Sequence, residues 1–213
     1  LIVHPRGAPH LMEPEKLWTQ TLQVLGKIAE LYGKIQPAPK EQILAAYDGM
    51  TIDLGKHIEL KVLETLGHAS HHLSFSENRS QGVFPGDAAG IYVSAHNVIV
   101  PTTPPPFNLE VSLASINRLI ALKPKQLYYT HFGSARNAVK KLEEYASRLG
   151  FWAKIISDSI KNGEDFDTVC QKVLEKDSLM KSAADYIRDN LIFREGVIKQ
   201  DVQGFIEYLK KDS

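Results

Sequence analysis

Three turns in the sequence each place a potential metal ligand directly after an apolar, strand-like run. His68 follows Gly67, Asp87 follows Gly86, and His131 ends a third strand-like run. A side chain on such a turn is exposed at the edge of a sheet, where α/β folds build their sites. Taken singly, each also fits a hydrogen-bonded structural histidine or an ordinary Gly-Asp turn. Their shared placement favours a common site.

The elements that would position these turns alternate between strands and helices. We predict strands within 43–77, at 83–84 and at 126–129, and helices at 13–32, 109–122 and 135–149, from the apolar spacing and the Gly and Pro breaks. Residues after 150 have helical spacing throughout, with predicted helices at 151–161, 166–176, 179–192 and 196–211. The fold class is therefore α/β (α+β), with a body over 1–149 and a helical extension over 150–213.

The composition excludes several classes of protein. Lys and Arg number 25 and Asp and Glu number 25, which argues against a nucleic-acid partner bound through bulk charge. The single cysteine, Cys170, excludes an intrachain disulfide framework and fits a reducing, cytoplasmic location. No apolar run approaches the roughly 20 residues of a membrane span, so we expect no membrane partner.

The order and context of the three turns resemble those of the metallo-β-lactamase superfamily of metallohydrolases, particularly its glyoxalase II-like members. The resemblance implies an αββα sandwich over 1–149 and a helical C-terminal extension. It implies that His68 binds a first metal and His131 a second, with Asp87 as the bridging, catalytic carboxylate. The cofactors would be two divalent cations, with zinc favoured and iron or manganese as alternatives. Their bridging water would be deprotonated near neutral pH.

The sequence departs from this family in one respect. The motif His-x-His-x-Asp-His, which supplies further ligands to both metals, is absent, and the segment from His4 to His10 does not have its spacing. We therefore expect an N-terminally incomplete member of the fold. Because catalytic zinc normally keeps three protein ligands, we expect this chain alone to bind metal weakly and to be poorly active.

The function implied by the resemblance is hydrolysis of a small-molecule ester, thioester or lactone by metal-bound hydroxide. One alternative is a mononuclear iron enzyme of the persulfide dioxygenase type, which would use His68 and Asp87 and leave His131 without a role. A second alternative is a degenerate binding module that has lost its metal chemistry. Retention of all three ligand residues argues against this second alternative.

Further candidates lie around these turns. His71 and His72 are adjacent at the start of a strand and should point to opposite faces, so at most one supports the metals. Tyr92 is a candidate for contact with the substrate, although an exposed loop position is the simpler interpretation. An apolar stripe in the extension predicts packing within the chain, with a homodimer as the alternative; it comprises Phe151, Trp152, Ile155, Ile156 and Ile160.

Overall fold

The computed structural model describes residues 1–131 and 133–211. The strands are β1 Ile2–Val3, β2 Leu44–Ala45, β3 Thr51–Asp53, β4 Glu59–Glu64, β5 Leu73–Glu77, β6 Gly82–Phe84, β7 Ile91–Val93, β8 Val98–Val100, β9 Gln126–Tyr128 and β10 Ser134–Arg136. The largest sheet has six strands in the order β10-β9-β6-β5-β4-β3, and two further strand pairs are β1-β2 and β7-β8. Within the large sheet β6 and β9 are parallel, and the other neighbours are antiparallel.

Helices precede, interrupt and follow these strands. They are α1 Ala8–Met12, α2 Glu15–Leu25, α3 Lys27–Tyr32, α4 Leu109–Ala121, α5 Ala138–Lys161, α6 Phe166–Lys176, α7 Ser178–Ser182, α8 Ala184–Asp189 and α9 Ile198–Lys211, with a π-helical segment at Ile192–Val197 before α9. The predicted α/β class and the C-terminal helices are confirmed. None of the helices in the described ranges is long and apolar enough to cross a bilayer.

One apolar core joins the sheet to the C-terminal helices. It contains Leu63 and Val83 from the sheet, and Trp152 and Phe205 from α5 and α9. The amphipathic pattern of α9 explains its place, because Ile198, Val202 and Phe205 recur at helical spacing and are buried. The extension is therefore packed against the body that carries the predicted ligands.

Several element boundaries differ from the sequence prediction. The helices expected at 135–149 and 151–161 form the single helix α5, in which Gly150 is exposed between the buried residues Leu149 and Trp152. Burial on both sides outweighs the roughly 1 kcal/mol that a helical glycine costs. The predicted division at 149/150 falls inside α5, and the assignment of two domains stays a prediction.

The start of the chain and the segment after His131 also differ from expectation. The helix expected over 13–32 is broken at Gly26, whose φ is 53°, into α2 and α3. Residues 134–136, assigned in part to a helix, instead form β10 and pair with β9.

Candidate metal centre

The structure brings the three predicted ligands together. His68 Nε2 lies 3.7 Å from Asp87 Oδ2, and His131 Nε2 lies 3.5 Å from Asp87 Oδ1. The carboxylate therefore presents one oxygen to each imidazole. Asp87 Oδ1 is buried without a hydrogen-bond partner in the described part of the chain, although buried polar atoms normally have one. An oxygen in this state fits a cation ligand.

The orientation of His68 is fixed by the loop after β8. His68 Nδ1 lies 2.9 Å from the carbonyl oxygen of Thr102, which can only accept a hydrogen bond. The Nδ1 atom therefore carries a proton and donates it, so that in the neutral form of the ring Nε2 would face Asp87 with a free lone pair. Metal-binding histidines are commonly held this way, with the other ring nitrogen bonded to a carbonyl or carboxylate.

Gly67 is required by the approach of α4 to this loop. Its φ is +121°, and a Cβ atom there would collide with the backbone and side chain of Ser112. Ser115, one turn later, donates a hydrogen bond to the Leu66 carbonyl oxygen at 2.7 Å. The glycine before His68 therefore permits a helix to support the ligand loop from behind.

His72 anchors the Asp87 loop through a chain of hydrogen bonds. The Asp87 N–H donates to His72 Nε2 at 3.0 Å, so His72 Nδ1–H donates to Thr65 Oγ1 at 2.8 Å. The Thr65 hydroxyl then donates to Ser74 Oγ at 2.6 Å, and Ser74 donates to the Pro85 carbonyl at 3.0 Å. Burial lowers the pKa of His72 to about 4, which keeps the ring in the neutral form that this chain requires.

Gly86 makes room for His72. Its φ is +56°, and a Cβ atom there would collide with the imidazole of His72. The space beside Asp87 at Gly86 is therefore occupied by the supporting histidine.

The donor set fits part of a metal centre. Two imidazole nitrogens and a carboxylate suit zinc, iron and manganese, and each oxygen of the Asp87 carboxylate lies within 3.7 Å of one imidazole Nε2. Within residues 1–131 and 133–211, however, no cluster of three or more His, Cys, Asp or Glu side chains forms a cation site. The metal role of His68, Asp87 and His131 stays a prediction.

A cleft of about 720 Å³ opens onto the three residues. Residues of α2, of α3 and of the segment that leads into α9 line it. The apolar side chains among them are Leu17, Ile28, Tyr32, Ile192, Phe193 and Val197, and Pro104 and Pro105 line it near Thr102. The C-terminal extension therefore contributes directly to the space above the predicted ligands.

Two of the weaker candidates lie away from this cleft. We expected Tyr92 to be an exposed loop residue, and this was wrong. Tyr92 lies in strand β7, is 8% exposed, and stacks on Tyr129 with ring centroids 5.2 Å apart. Its hydroxyl donates to Asn97 Oδ1, and Tyr92 does not line the cleft. His71 is exposed and its ring lies 5.8 Å from that of His10. Of the adjacent pair, His72 accepts the Asp87 N–H, and its ring centroid lies 5.8 Å from that of His68.

Other residues of the site were not found from the sequence. Thr65, Ser74 and Thr102 support the ligands through hydroxyl or carbonyl groups, and such residues carry no distinctive spacing. Asp201 is different, because it stands on the apolar stripe of α9 between Ile198 and Val202. A carboxylate at a buried helical position was a signal that the sequence offered.

Comparison with known proteins decides the family. Residues 2–131 match the family profile of the metallo-beta-lactamase superfamily. The chain belongs to this superfamily. Its members bind divalent metals and are generally metal-dependent hydrolases. The matched range contains His68, Asp87 and His131, in the turns that suggested the family.

Relatives agree with this membership. A metallo-beta-lactamase fold-containing protein of Sulfurisphaera tokodaii, ST1585, is 28% identical over 163 residues, which are 76% of this chain and 58% of that protein. Its crystal structure, described as an archaeal superfamily protein from Sulfolobus tokodaii, aligns with a TM-score of 0.62 at 29% identity, covering 69% of this chain and 56% of that one.

A second solved structure shows the shared fold over the whole chain. The metallo-beta-lactamase family protein TTHA1429 from Thermus thermophilus aligns with a TM-score of 0.65 at 19% identity, covering 100% of this chain and 66% of that one. This chain spans 58% of the curated superfamily relative and 66% or less of these two structures.

Proposed function

We propose that this chain carries part of a metal-dependent hydrolytic centre that acts on an ester, thioester or lactone. The observation that carries the proposal is the convergence of His68, Asp87 and His131 in the lining of one cleft. The nitrogens of both imidazoles lie within 3.7 Å of the Asp87 carboxylate, and each faces a different oxygen of it. This arrangement supports a bridging role for Asp87 and a separate cation for each histidine.

The residues of this chain would bind and orient. His68 presents Nε2 because Thr102 holds its Nδ1–H, and Asp87 keeps its place because His72 accepts its N–H. Divalent cations, when bound, activate water as a nucleophile and polarise the carbonyl of the substrate. A side-chain nucleophile is then unnecessary, and the buried Cys170, whose pKa burial raises to about 11, is unsuited to that role.

The cleft supports a substrate with an apolar substituent beside the scissile bond. Leu17, Ile28, Ile192 and Phe193 are among the apolar residues that line it. Burial of apolar surface in such a space stabilises a complex by about 25 cal/mol per Å². We therefore propose that longer acyl chains are bound better than acetyl groups.

The test is hydrolysis of p-nitrophenyl esters with acyl chains from acetyl to octanoyl by the chain with Zn²⁺ or Mn²⁺ in excess. We expect slow hydrolysis above the metal blank, a KM that falls as the acyl chain lengthens, and loss of activity in Asp87→Asn. Asp53→Asn, at an exposed strand end, is the matched control and should behave as the parent. Hydrolysis that is equal in the parent and in Asp87→Asn would contradict the proposal.

The number of metal ions bound per chain distinguishes the proposed hydrolase from the alternative, a mononuclear iron dioxygenase. A mononuclear site built on His68 and Asp87 has no use for His131, whose Nε2 lies 3.5 Å from the second carboxylate oxygen. We expect that His131→Ala weakens metal binding. Unchanged binding of a single iron in this variant would instead favour the dioxygenase.

A further inference from the structure

The loop at Thr102 and Thr103 contacts the predicted ligands on one side and the C-terminal helix α9 on the other. On the ligand side, the Thr102 carbonyl accepts from His68 Nδ1 at 2.9 Å. The Thr102 hydroxyl donates to the backbone carbonyl of Asp87 at 2.6 Å. One residue therefore sets the orientation of His68 and the position of the Asp87 backbone.

On the helix side, Asp201 holds Thr103 by two hydrogen bonds. The Thr103 N–H donates to Asp201 Oδ1 at 2.6 Å, and the Thr103 hydroxyl donates to the Asp201 carbonyl at 3.2 Å. One turn later, the position of Gly204 leaves no room for a Cβ atom against the Thr103 carbonyl. The backbone of α9 is therefore in direct contact with the loop, and neither can shift without the other.

Burying a carboxyl group at position 201 costs free energy, because the group is removed from water. Asp201 is 2% exposed, and within the described ranges its Oδ2 has no hydrogen-bond partner. Desolvation raises the pKa of Asp201 well above 3.8. An apolar residue would fill the same place in the stripe of α9 at lower cost. What it could not supply is the acceptor that fixes the Thr103 N–H.

We propose that Asp201 is a positioning residue for the metal centre, which acts through Thr103 to hold Thr102 against His68 and Asp87. The C-terminal helix then orders the ligands as well as covering the core. The inference rests on the proposed metal role of His68 and Asp87. The relay of hydrogen bonds can nevertheless be observed without metal.

The first measurement is the His68 Nδ1–H resonance in metal-free protein labelled with ¹⁵N-histidine. A proton held by a carbonyl gives a downfield signal that exchanges slowly, and its absence from His68→Gln assigns it. We expect this signal to shift or broaden in Asp201→Ala. Asp201→Asn should retain it, because the amide oxygen still accepts from Thr103.

The second measurement is Co²⁺ affinity of the same chains by absorption titration. We expect at least a fivefold loss in Asp201→Ala and less than a twofold loss in Asp201→Asn. Asp165→Ala is the matched control, since Asp165 caps α6 in the same helical extension by accepting from Thr168 N–H. This control should leave both the His68 signal and the affinity unchanged.

Two results would overturn the inference. One is an Asp201→Ala chain with the parent's His68 signal and Co²⁺ affinity. The other is an equal loss in Asp201→Ala and Asp165→Ala, because that pattern would reflect general destabilisation of the extension. An absence of Co²⁺ binding in every chain would refute the proposed function instead, and the His68 signal would still decide the inference.

Discussion

The loops that carry the predicted ligands and the C-terminal helices are stabilised by different interactions. The ligand loops depend on polar contacts, as in the chain from Asp87 through His72, Thr65 and Ser74 to Pro85. The helices depend mainly on apolar packing around Trp152, which is fully buried. Hydrogen bonds are directional and fix the orientation of a side chain, whereas apolar burial contributes stability without fixing an angle.

The contact between Asp201 and Thr103 is one of those that join the two regions. Substitutions in the helical core should therefore lower the free energy of unfolding most. Substitutions in the polar chain should cost less stability but more metal affinity. The following variants test this division, beginning with the largest expected change in stability.

Trp152→Ala should lower the free energy of unfolding by about 3 to 5 kcal/mol, the usual cost of removing a large buried side chain. It also removes the donor to Asp177 Oδ2 at 3.0 Å. Phe151→Ala is the control, since the Phe151 side chain, next to Trp152 in the sequence, is 43% exposed. Its removal should lower the free energy of unfolding by less than about 0.5 kcal/mol. Denaturant unfolding measures both, and equal losses would contradict the assignment of Trp152 to the core.

His72→Ala should lower the free energy of unfolding by about 1 to 3 kcal/mol, because it leaves the Asp87 N–H without its acceptor. Loss of a residue that orients a metal ligand typically weakens metal binding about tenfold to a hundredfold. Titration with Co²⁺ checks this effect. His71→Ala, at the adjacent exposed position, should change neither quantity, and a similar loss in both variants would show that the His72 contact is unimportant.

Asp201→Asn should become more stable relative to the parent as the pH rises. Burial, and to a lesser degree the nearby Asp87, raises the pKa of Asp201, while the bonds from Thr103 oppose this. The folded parent therefore binds a proton more tightly than the unfolded chain, and its stability falls as pH rises above 3.8. The slope is at most about 1.4 kcal/mol per pH unit. Denaturant unfolding at several pH values measures the free energy of unfolding of both chains. A difference in this free energy that is constant from about pH 4 to about pH 8 would contradict the prediction.

Tyr92→Phe should lower the free energy of unfolding by about 1 kcal/mol or less. This is the net contribution of one hydrogen bond, here the bond from the Tyr92 hydroxyl to Asn97. Metal affinity and KM should not change, because Tyr92 does not line the cleft. A change in KM for the esters would indicate that Tyr92 contacts the substrate and would contradict its assignment to the core.

The three predicted ligands could be singled out because each depends on local sequence. A glycine, a strand end and a candidate ligand occur together at His68 and Asp87, and a short strand precedes His131. The helix Phe166–Lys176 was also predicted with its correct bounds, since Asp165 provides an N-cap and the apolar spacing is regular.

Features that depend on distant contacts could not be predicted. Nothing local to Thr103 indicates that Asp201 accepts its N–H, since 98 residues separate them. The strands β7 and β8 were missed because Tyr92 was interpreted as an exposed loop residue. Asn97, with a φ of 52°, is the residue that turns the chain between the two strands.

The central claim is that Asp87, between His68 and His131, binds divalent cations. Competition with a chromophoric chelator measures the affinity of the parent chain and of Asp87→Ala for Zn²⁺. We expect weak but measurable binding by the parent, at least a tenfold loss in Asp87→Ala, and no loss in the exposed control Asp53→Ala. Equal Zn²⁺ affinity of the parent and of Asp87→Ala would contradict the claim.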